Sequence, residues 1–387
     1  MPPARLLLVP KLFYFCWFGA IGAIVPFVSL YYRGTGLTLG QIGLLVALPG
    51  LLQVVASPLW GVLADALRLH RLLLPVAITG TLLPVLLIGH VTSYTALIGL
   101  VTVQSLFAAP VSALADSATL ALLGTARERY GAQRVWGAVG WGLSTLLFGR
   151  LVTQGGLGVI FVGYALLATL AAGAALALPR PALAHVDLRI AARTLLRDRR
   201  WFRLLGCVLL VGCCGAAISS FLSLYLQDLG ATSQQIGLAY TLAGLSELPV
   251  MALSPLLLRR WGARPLLVAA GLLYAVRVAI YIIAPTPGWA LAAQLLHGPC
   301  FAAFWIAGVV EAQRLAPRGL EATAQSLFGV AAFGVASSLA SMVGGSVFQF
   351  FGSAALFGLG GMLALCGSIG LLLGPRTTHA KQAESLH

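Results

Sequence analysis

Acidic residues are scarce in this chain of 387 residues: Asp and Glu together number 10, and all charged residues make up only 9%. A soluble domain typically carries about 25% charged residues, so a water-exposed globular fold is excluded. Cysteine is also sparse, with Cys16, Cys207, Cys213, Cys214, Cys300 and Cys366 inside apolar runs and without metal-ligand spacing. Neither a disulfide framework nor a zinc site is expected, and packing accounts for these thiols. The chain has no glycine-rich nucleotide loop, and no His, Asp or Cys cluster is gathered at one end of its apolar runs. Enzymatic chemistry and a cofactor are therefore not expected. The first apolar run is long enough to span a bilayer and has no small-residue cleavage site, so no cleavable leader is expected.

Apolar sequence is what the chain has in abundance. Hydrophobic residues reach 59%, with mean hydropathy +0.96. At about 20 residues per spanning helix, the runs divide into twelve. They lie near 10–32, 41–64, 71–90, 95–121, 133–152, 157–178, 203–226, 235–258, 264–284, 288–312, 322–349 and 353–374. The formal net charge of +14 could suggest nucleic acid, but its distribution argues otherwise. With a cytoplasmic N-terminus, all Lys and Arg except Arg33, Arg150 and Arg277 fall on the cytoplasmic side. The positive-inside rule predicts this asymmetry. Basic charge is thus a topology signal and not a nucleic-acid footprint.

The segment from Pro179 to Arg200 is the one long polar interruption, and it separates six runs from six. We read residues 1–178 and 203–375 as two six-helix halves, 179–202 as a cytoplasmic linker and 376–387 as a cytoplasmic tail. The halves repeat each other. Phe27–Leu44 reads FVSLYYRGTGLTLGQIGL and Phe221–Leu238 reads FLSLYLQDLGATSQQIGL, with 10 identities in 18 positions at an offset of 194. Duplicated six-span halves are a transporter trait, because rocking one against the other exposes a midplane site alternately. The expected fold is all-α: twelve transmembrane helices in two pseudo-symmetric halves, both termini cytoplasmic.

Three ionisable residues interrupt successive apolar runs: Glu247, Arg277 and His297. A charge at the bilayer centre costs about 2.5–3.5 kcal/mol on insertion scales, so such residues are rare and usually functional. At 1.5 Å per residue they lie about 18, 20 and 14 Å along their runs, near the middle of a core about 30 Å thick. An unpaired carboxylate there tends to take up a proton, whereas an adjacent Arg favours the charged form. Glu247 is therefore expected to pair with Arg277, and separating them would move a proton; the alternative is a permanently paired structural salt bridge. His297 has three readings: a bridge from Arg277 to a solute, a proton shuttle, or a neutral residue bonded to a carbonyl. At the repeat offset, Glu247 corresponds to Gln53.

In the first half, Arg134 and Trp141 are seven residues apart and share a helix face. A guanidinium binds carboxylate or hydroxyl groups bidentately, and an indole offers a stacking face. Asp116 is placed to hold Arg134 when the site is empty; the alternative is a gate pair near the inner ends of their runs. Tyr14 and Trp17 are further cavity candidates, as are Gln53 and Cys300, although packing explains them equally.

Several motifs carry a family resemblance. Gly61-Val-Leu-Ala-Asp65-Ala-Leu-Arg68-Leu-His70-Arg71 resembles the loop signature of the major facilitator superfamily, with Arg68 replacing the second Gly of the pattern. The resemblance implies a cytoplasmic gate in which Gly61, Asp65 and Arg71 take part. Arg134-Val-Trp-Gly-Ala-Val-Gly-Trp141, Ser246-Glu247-Leu248, Ala275-Val276-Arg277 and Leu295-Leu-His-Gly-Pro-Cys300-Phe301 resemble, in order, the branch containing lactose permease and phenylpropionate-permease-like proteins. That likeness implies solute contact by Arg134, Trp141 and Asp116, and proton coupling through Glu247, Arg277 and His297. The chain departs from the branch at Cys300, where lactose permease carries its proton-coupling Glu, and at Gln294, where it carries Lys.

The expected function is secondary active transport, by alternating access, of a small organic solute (sugar, nucleoside or aromatic acid) with a proton. An exporter or uncoupled facilitator is the alternative, and a membrane scaffold or receptor the non-transport one. The expected partners are a small-molecule substrate, protons and the lipid of the cytoplasmic membrane, with the protein monomeric. No metal or nucleic acid is expected.

Overall fold

The computed structural model describes residues 6–67, 72–124, 126, 129–179, 198–316 and 320–373. Arg71, residues 180–197 of the expected linker and the tail beyond 373 lie outside the described residues, as does the side chain of Asp65.

No strand occurs among the described residues; the chain is a succession of helices. These are α1 (Leu8–Gly34), α2 (Leu39–Leu67), α3 (Leu73–Ile88), α4 (Tyr94–Ala108), α5 (Val111–Leu123), α6 (Tyr130–Gly155) and α7 (Val159–Leu176), then α8 (Arg199–Asp228), α9 (Ser233–Trp261), α10 (Ala263–Ile283), α11 (Pro287–Ala292), α12 (His297–Leu315), α13 (Glu321–Gly329) and α14 (Ala336–Leu372). Among the described residues 9 helical stretches are long and apolar enough to cross a bilayer, and Leu39–Gln53 and Leu73–Ile88 are shorter apolar helices. One of the 9, Thr323–Leu372, runs for 50 residues, about 75 Å if straight. That is more than twice a bilayer core of about 30 Å, and Gly352 at φ 80° breaks it.

The structure explains what the duplicated stretch preserves. Gly36 (φ 87°) and its counterpart Gly230 (φ 83°) occupy the left-handed region that favours glycine. Thr38 and Gln41 form a reciprocal cap at the start of α2, with distances of 2.9 and 3.3 Å. Thr232 and Gln235 repeat it at the start of α9. Each cap satisfies two backbone N–H groups that the helix itself leaves free. Tyr31 donates to Ile88 O at 2.9 Å, and its counterpart Tyr225 donates to Tyr281 O at 2.6 Å. Each hydroxyl ties the first helix of its half to the third.

Close contacts between the halves also come in two related sets. A Cβ added at Gly43 of α2 would stand 2.3 Å from Ser341 O and 3.1 Å from Gly345 Cα of α14. At its counterpart Gly237 of α9 it would stand 2.3 Å from Thr145 O and 3.1 Å from Gly149 Cα of α6. In lipid no hydrophobic force pulls helices together, so close backbone approach at small residues supplies the dispersion contact. Ser223 donates to Pro26 O at 2.6 Å, Thr145 and Thr241 share a hydrogen bond of 2.8 Å, and Arg33 pairs with Asp228 at 2.5 Å. These contacts gather toward the end of the bundle that carries Arg33 and Asp228.

Candidate functional site

The second half brings Glu247 of α9, Arg277 of α10 and His297 of α12 together. Arg277 is 1% exposed and is among the largest fully buried side chains. A buried guanidinium without hydrogen bonds would be very costly, and all three of its nitrogens are satisfied. Nε donates to Tyr281 Oη at 2.9 Å, one terminal nitrogen donates to Gln294 Oε1 at 2.7 Å, and the other lies 3.0 Å from His297 Nδ1. Gln294 is itself fully buried and donates through Nε2 to Tyr281 Oη at 2.9 Å and to Ala290 O at 3.2 Å.

The expected direct pair of Glu247 and Arg277 is corrected by the structure: histidine stands between them. His297 Nε2 lies 3.1 Å from Glu247 Oε1, and the two side chains are 18% and 22% exposed. Arginine only donates, so Nδ1 must be the acceptor in the contact with Arg277. The remaining proton then sits on Nε2 and is donated to the Glu247 carboxylate. The contacts thus fix both the tautomer and the neutral state of the ring. Phe301, one turn on, stacks against the imidazole at 5.2 Å with planes 10° apart, which fixes the ring's tilt.

In the first half the expected Asp116–Arg134 pairing gives way to an arrangement built around Tyr14 of α1. Its hydroxyl donates to Asp116 Oδ1 at 2.7 Å and lies 3.3 Å from Thr119 Oγ1. Tyr130 adjoins the same carboxylate. The Arg134 guanidinium lies over the Phe18 ring at 4.0 Å and the Tyr14 ring at 5.3 Å. Among the described residues no carboxylate lies within ion-pair distance of Arg134, which is half-buried. Each half therefore inserts an aromatic side chain between its arginine and its carboxylate.

Trp141 links the halves, with its ring 6.5 Å from that of Tyr240 and within reach of Gly244 on α9. Glu247 follows Gly244 by three residues, and Arg134 precedes Trp141 by two helical turns. Both therefore lie beyond the layer where α6 and α9 touch, away from Arg33 and Asp228.

Other candidates fall elsewhere. Trp17 packs inside the first half against Tyr164 at 6.4 Å; its indole nitrogen has no hydrogen-bond partner among the described residues, and the residue is 2% exposed. Cys300 is fully buried among Tyr274, Cys214 and Arg277. Both are core residues, not cavity walls. Gln53 is exposed on α2 and takes no part in the network. Gly61 and Asp65 fall in the last turns of α2, with only their backbone described. Sequence reasoning missed Tyr281 and gave Gln294 no role. Tyr281 lies four residues after Arg277, and Gln294 three before His297, and those helical spacings were the available signal.

The chain is similar to known transporters along most of its length. Residues 7–359 match the MFS_1 like family. The maltose permease of Geobacillus stearothermophilus is 31% identical over 370 residues, covering 94% of this chain and 93% of the permease. The probable 3-phenylpropionic acid transporter of Escherichia coli is 28% identical over 357 residues, covering 88% and 90%. The crystal structure of the nucleoside transporter NupG superposes with a TM-score of 0.81, covering 95% of this chain and 97% of that one. At 18% identity that likeness shows the fold alone.

Proposed function

The chain belongs to the MFS_1 like family of the major facilitator superfamily, and from that premise we propose that this membrane transporter carries a small organic solute together with a proton. We read the chain as twelve spans in two halves of six with both termini cytoplasmic; the long apolar helices, the break at Gly352 and the distribution of basic residues support that reading. On that reading the contacts between the halves lie at the outer end, with Glu247 and Arg134 on their cytoplasmic side.

The observation that carries the proposal is the row Arg277–His297–Glu247. His297 holds one proton and has its other nitrogen occupied by Arg277. Glu247 is the partly exposed end of the row and the carboxylate a proton or a solute reaches first. Protonating it removes the charge that accepts from Nε2, which loosens the grip on His297. A solute that engages Glu247 or His297 thereby changes the affinity for the proton, which is the differential interaction that coupling requires.

Arg134 supplies the second contact. Its guanidinium lies over the Phe18 ring with no carboxylate partner among the described residues, while Asp116 already accepts from Tyr14. That favours an aromatic or other organic acid over a sugar or nucleoside, with Trp141 as a stacking face. An exporter or uncoupled facilitator is the second reading. It is favoured by Cys300, a buried thiol at the position where the resemblance to lactose permease implies a carboxylate.

The test is uptake into vesicles with an imposed pH gradient, against a panel of aromatic acids, sugars and nucleosides. Gradient-driven accumulation of one acid supports the proposal. Equilibration of a solute without accumulation, at any gradient, supports the facilitator.

A further inference from the structure

The helix that carries His297 changes its winding at the site. Residues Pro287–Ala292 are α-helical, Ala293–Leu296 form a 3₁₀ turn, and α-helix resumes at His297. In a 3₁₀ turn residues i and i+3 stand directly above one another, whereas in an α-helix they are offset by about 60°. Gln294 and His297 are such a pair. The tighter winding brings Gln294 Oε1 and His297 Nδ1 into line, so that both face the two terminal nitrogens of one guanidinium, at 2.7 and 3.0 Å. Tyr281 closes the frame from the other side, accepting from Arg277 Nε and from Gln294 Nε2, both at 2.9 Å.

We infer that Gln294 is a positioning residue for proton loading. It does not meet the solute, but by holding Arg277 against His297 Nδ1 it sets the pH at which the imidazole accepts a second proton. The inference rests on the reading that the coupled proton travels through Glu247, and adds that the carboxylate, its first acceptor, shares it with His297. A proton can enter Nδ1 only after Arg277 withdraws, because two N–H donors cannot face each other there. Gln294 and Tyr281 oppose that withdrawal in a site where Arg277 is buried away from the surface. Once loaded, the imidazolium keeps its Nε2–H bond to Glu247 and gains an ion pair with it. The charged groups that meet His297 are Arg277 of α10 and Glu247 of α9, and the titratable groups around Arg277 are Tyr274 and Tyr281 of α10, Tyr240 of α9, Cys214 of α8 and Cys300 of α12. Glu247 is the one carboxylate among them, so releasing Arg277 shifts the balance at His297 toward the protonated form.

The test is the pH profile of solute transport by protein reconstituted in liposomes, between about pH 5 and pH 8, for wild type, Gln294→Leu, Tyr281→Phe and His297→Gln. For Gln294→Leu the midpoint moves to higher pH by about one unit, a tenfold rise in proton affinity, while the KM at the acid end stays at the wild-type value. Tyr281→Phe, which keeps the ring and removes the shared hydroxyl, moves it in the same direction by less and stands in if Gln294→Leu does not fold. His297→Gln flattens the profile. A wild-type midpoint in folded Gln294→Leu or Tyr281→Phe, alongside a pH-dependent wild type, overturns the positioning role and leaves the coupling proposal standing. A flat wild-type profile sinks both.

Discussion

His297 Nδ1 and an Arg277 terminal nitrogen face each other at 3.0 Å, and because arginine cannot accept, this contact leaves the imidazole one arrangement of its proton. His297 in the resting protein is the neutral Nε2–H tautomer. Nitrogen chemical shifts of ¹⁵N-histidine-labelled protein, with the His297→Gln variant giving the assignment, check this directly. An Nδ1–H or doubly protonated ring near neutral pH would contradict the geometry.

The related glycines Gly43 and Gly237 set how closely the halves meet. Alanine at either would place a methyl carbon 2.3 Å from a backbone carbonyl of the opposite half, and backbone gives way less easily than a side chain. Overpacking of this kind costs about 1–3 kcal/mol, enough to shift a two-state equilibrium about 5- to 150-fold. Gly43→Ala and Gly237→Ala should each separate the Arg33–Asp228 end. Spin labels on either side of that end would report a longer distance than in wild type; an unchanged distance distribution would show that the crossings tolerate the methyl.

The Arg33–Asp228 ion pair should matter far less, despite joining the same two halves. Both side chains are 37% exposed, and exposed pairs are typically worth about 0.2–1 kcal/mol. Asp228→Asn is expected to change transport less than about fivefold and to remove what little salt dependence the pair confers. A loss comparable to that of the glycine variants would mean that the pair, and not the helix crossings, holds this end shut.

Arg134→Lys separates an organic acid from a neutral solute. Lysine keeps the charge but loses the planar fork that lies over Phe18. Affinity for a carboxylate solute should fall about tenfold, the equivalent of about 1.4 kcal/mol, while a neutral competitor is affected less. Equal losses for charged and neutral solutes would move Arg134 from recognising charge to recognising hydroxyl groups.

Much of this arrangement was legible in the residues themselves. The helical stretches follow the apolar runs to within a few residues, and the duplicated Phe27–Leu44 and Phe221–Leu238 encode matched turns, caps and crossings. Depth along each run was enough to bring Glu247, Arg277 and His297 to one level. Their order was not, because depth says nothing about rotation around each helix axis. Hence the expectation that Arg277 touches Glu247 failed on a histidine whose ring fits between them. Tyr14 and Trp17 show the same limit: three residues apart on one helix, one reaches Asp116 and the other packs into the core against Tyr164. The 3₁₀ turn at Ala293–Leu296 leaves no sequence signature, since it depends on what Gln294 and His297 hold from a different helix.

The central claim is that solute and proton travel together through Glu247. The most direct measurement is the external pH of weakly buffered, de-energised proteoliposomes as solute runs down its gradient into them. The account predicts alkalinisation with wild type and none with Glu247→Gln, which should still equilibrate the solute. Solute entry through wild type with no change in external pH, or alkalinisation that persists in Glu247→Gln, would contradict it.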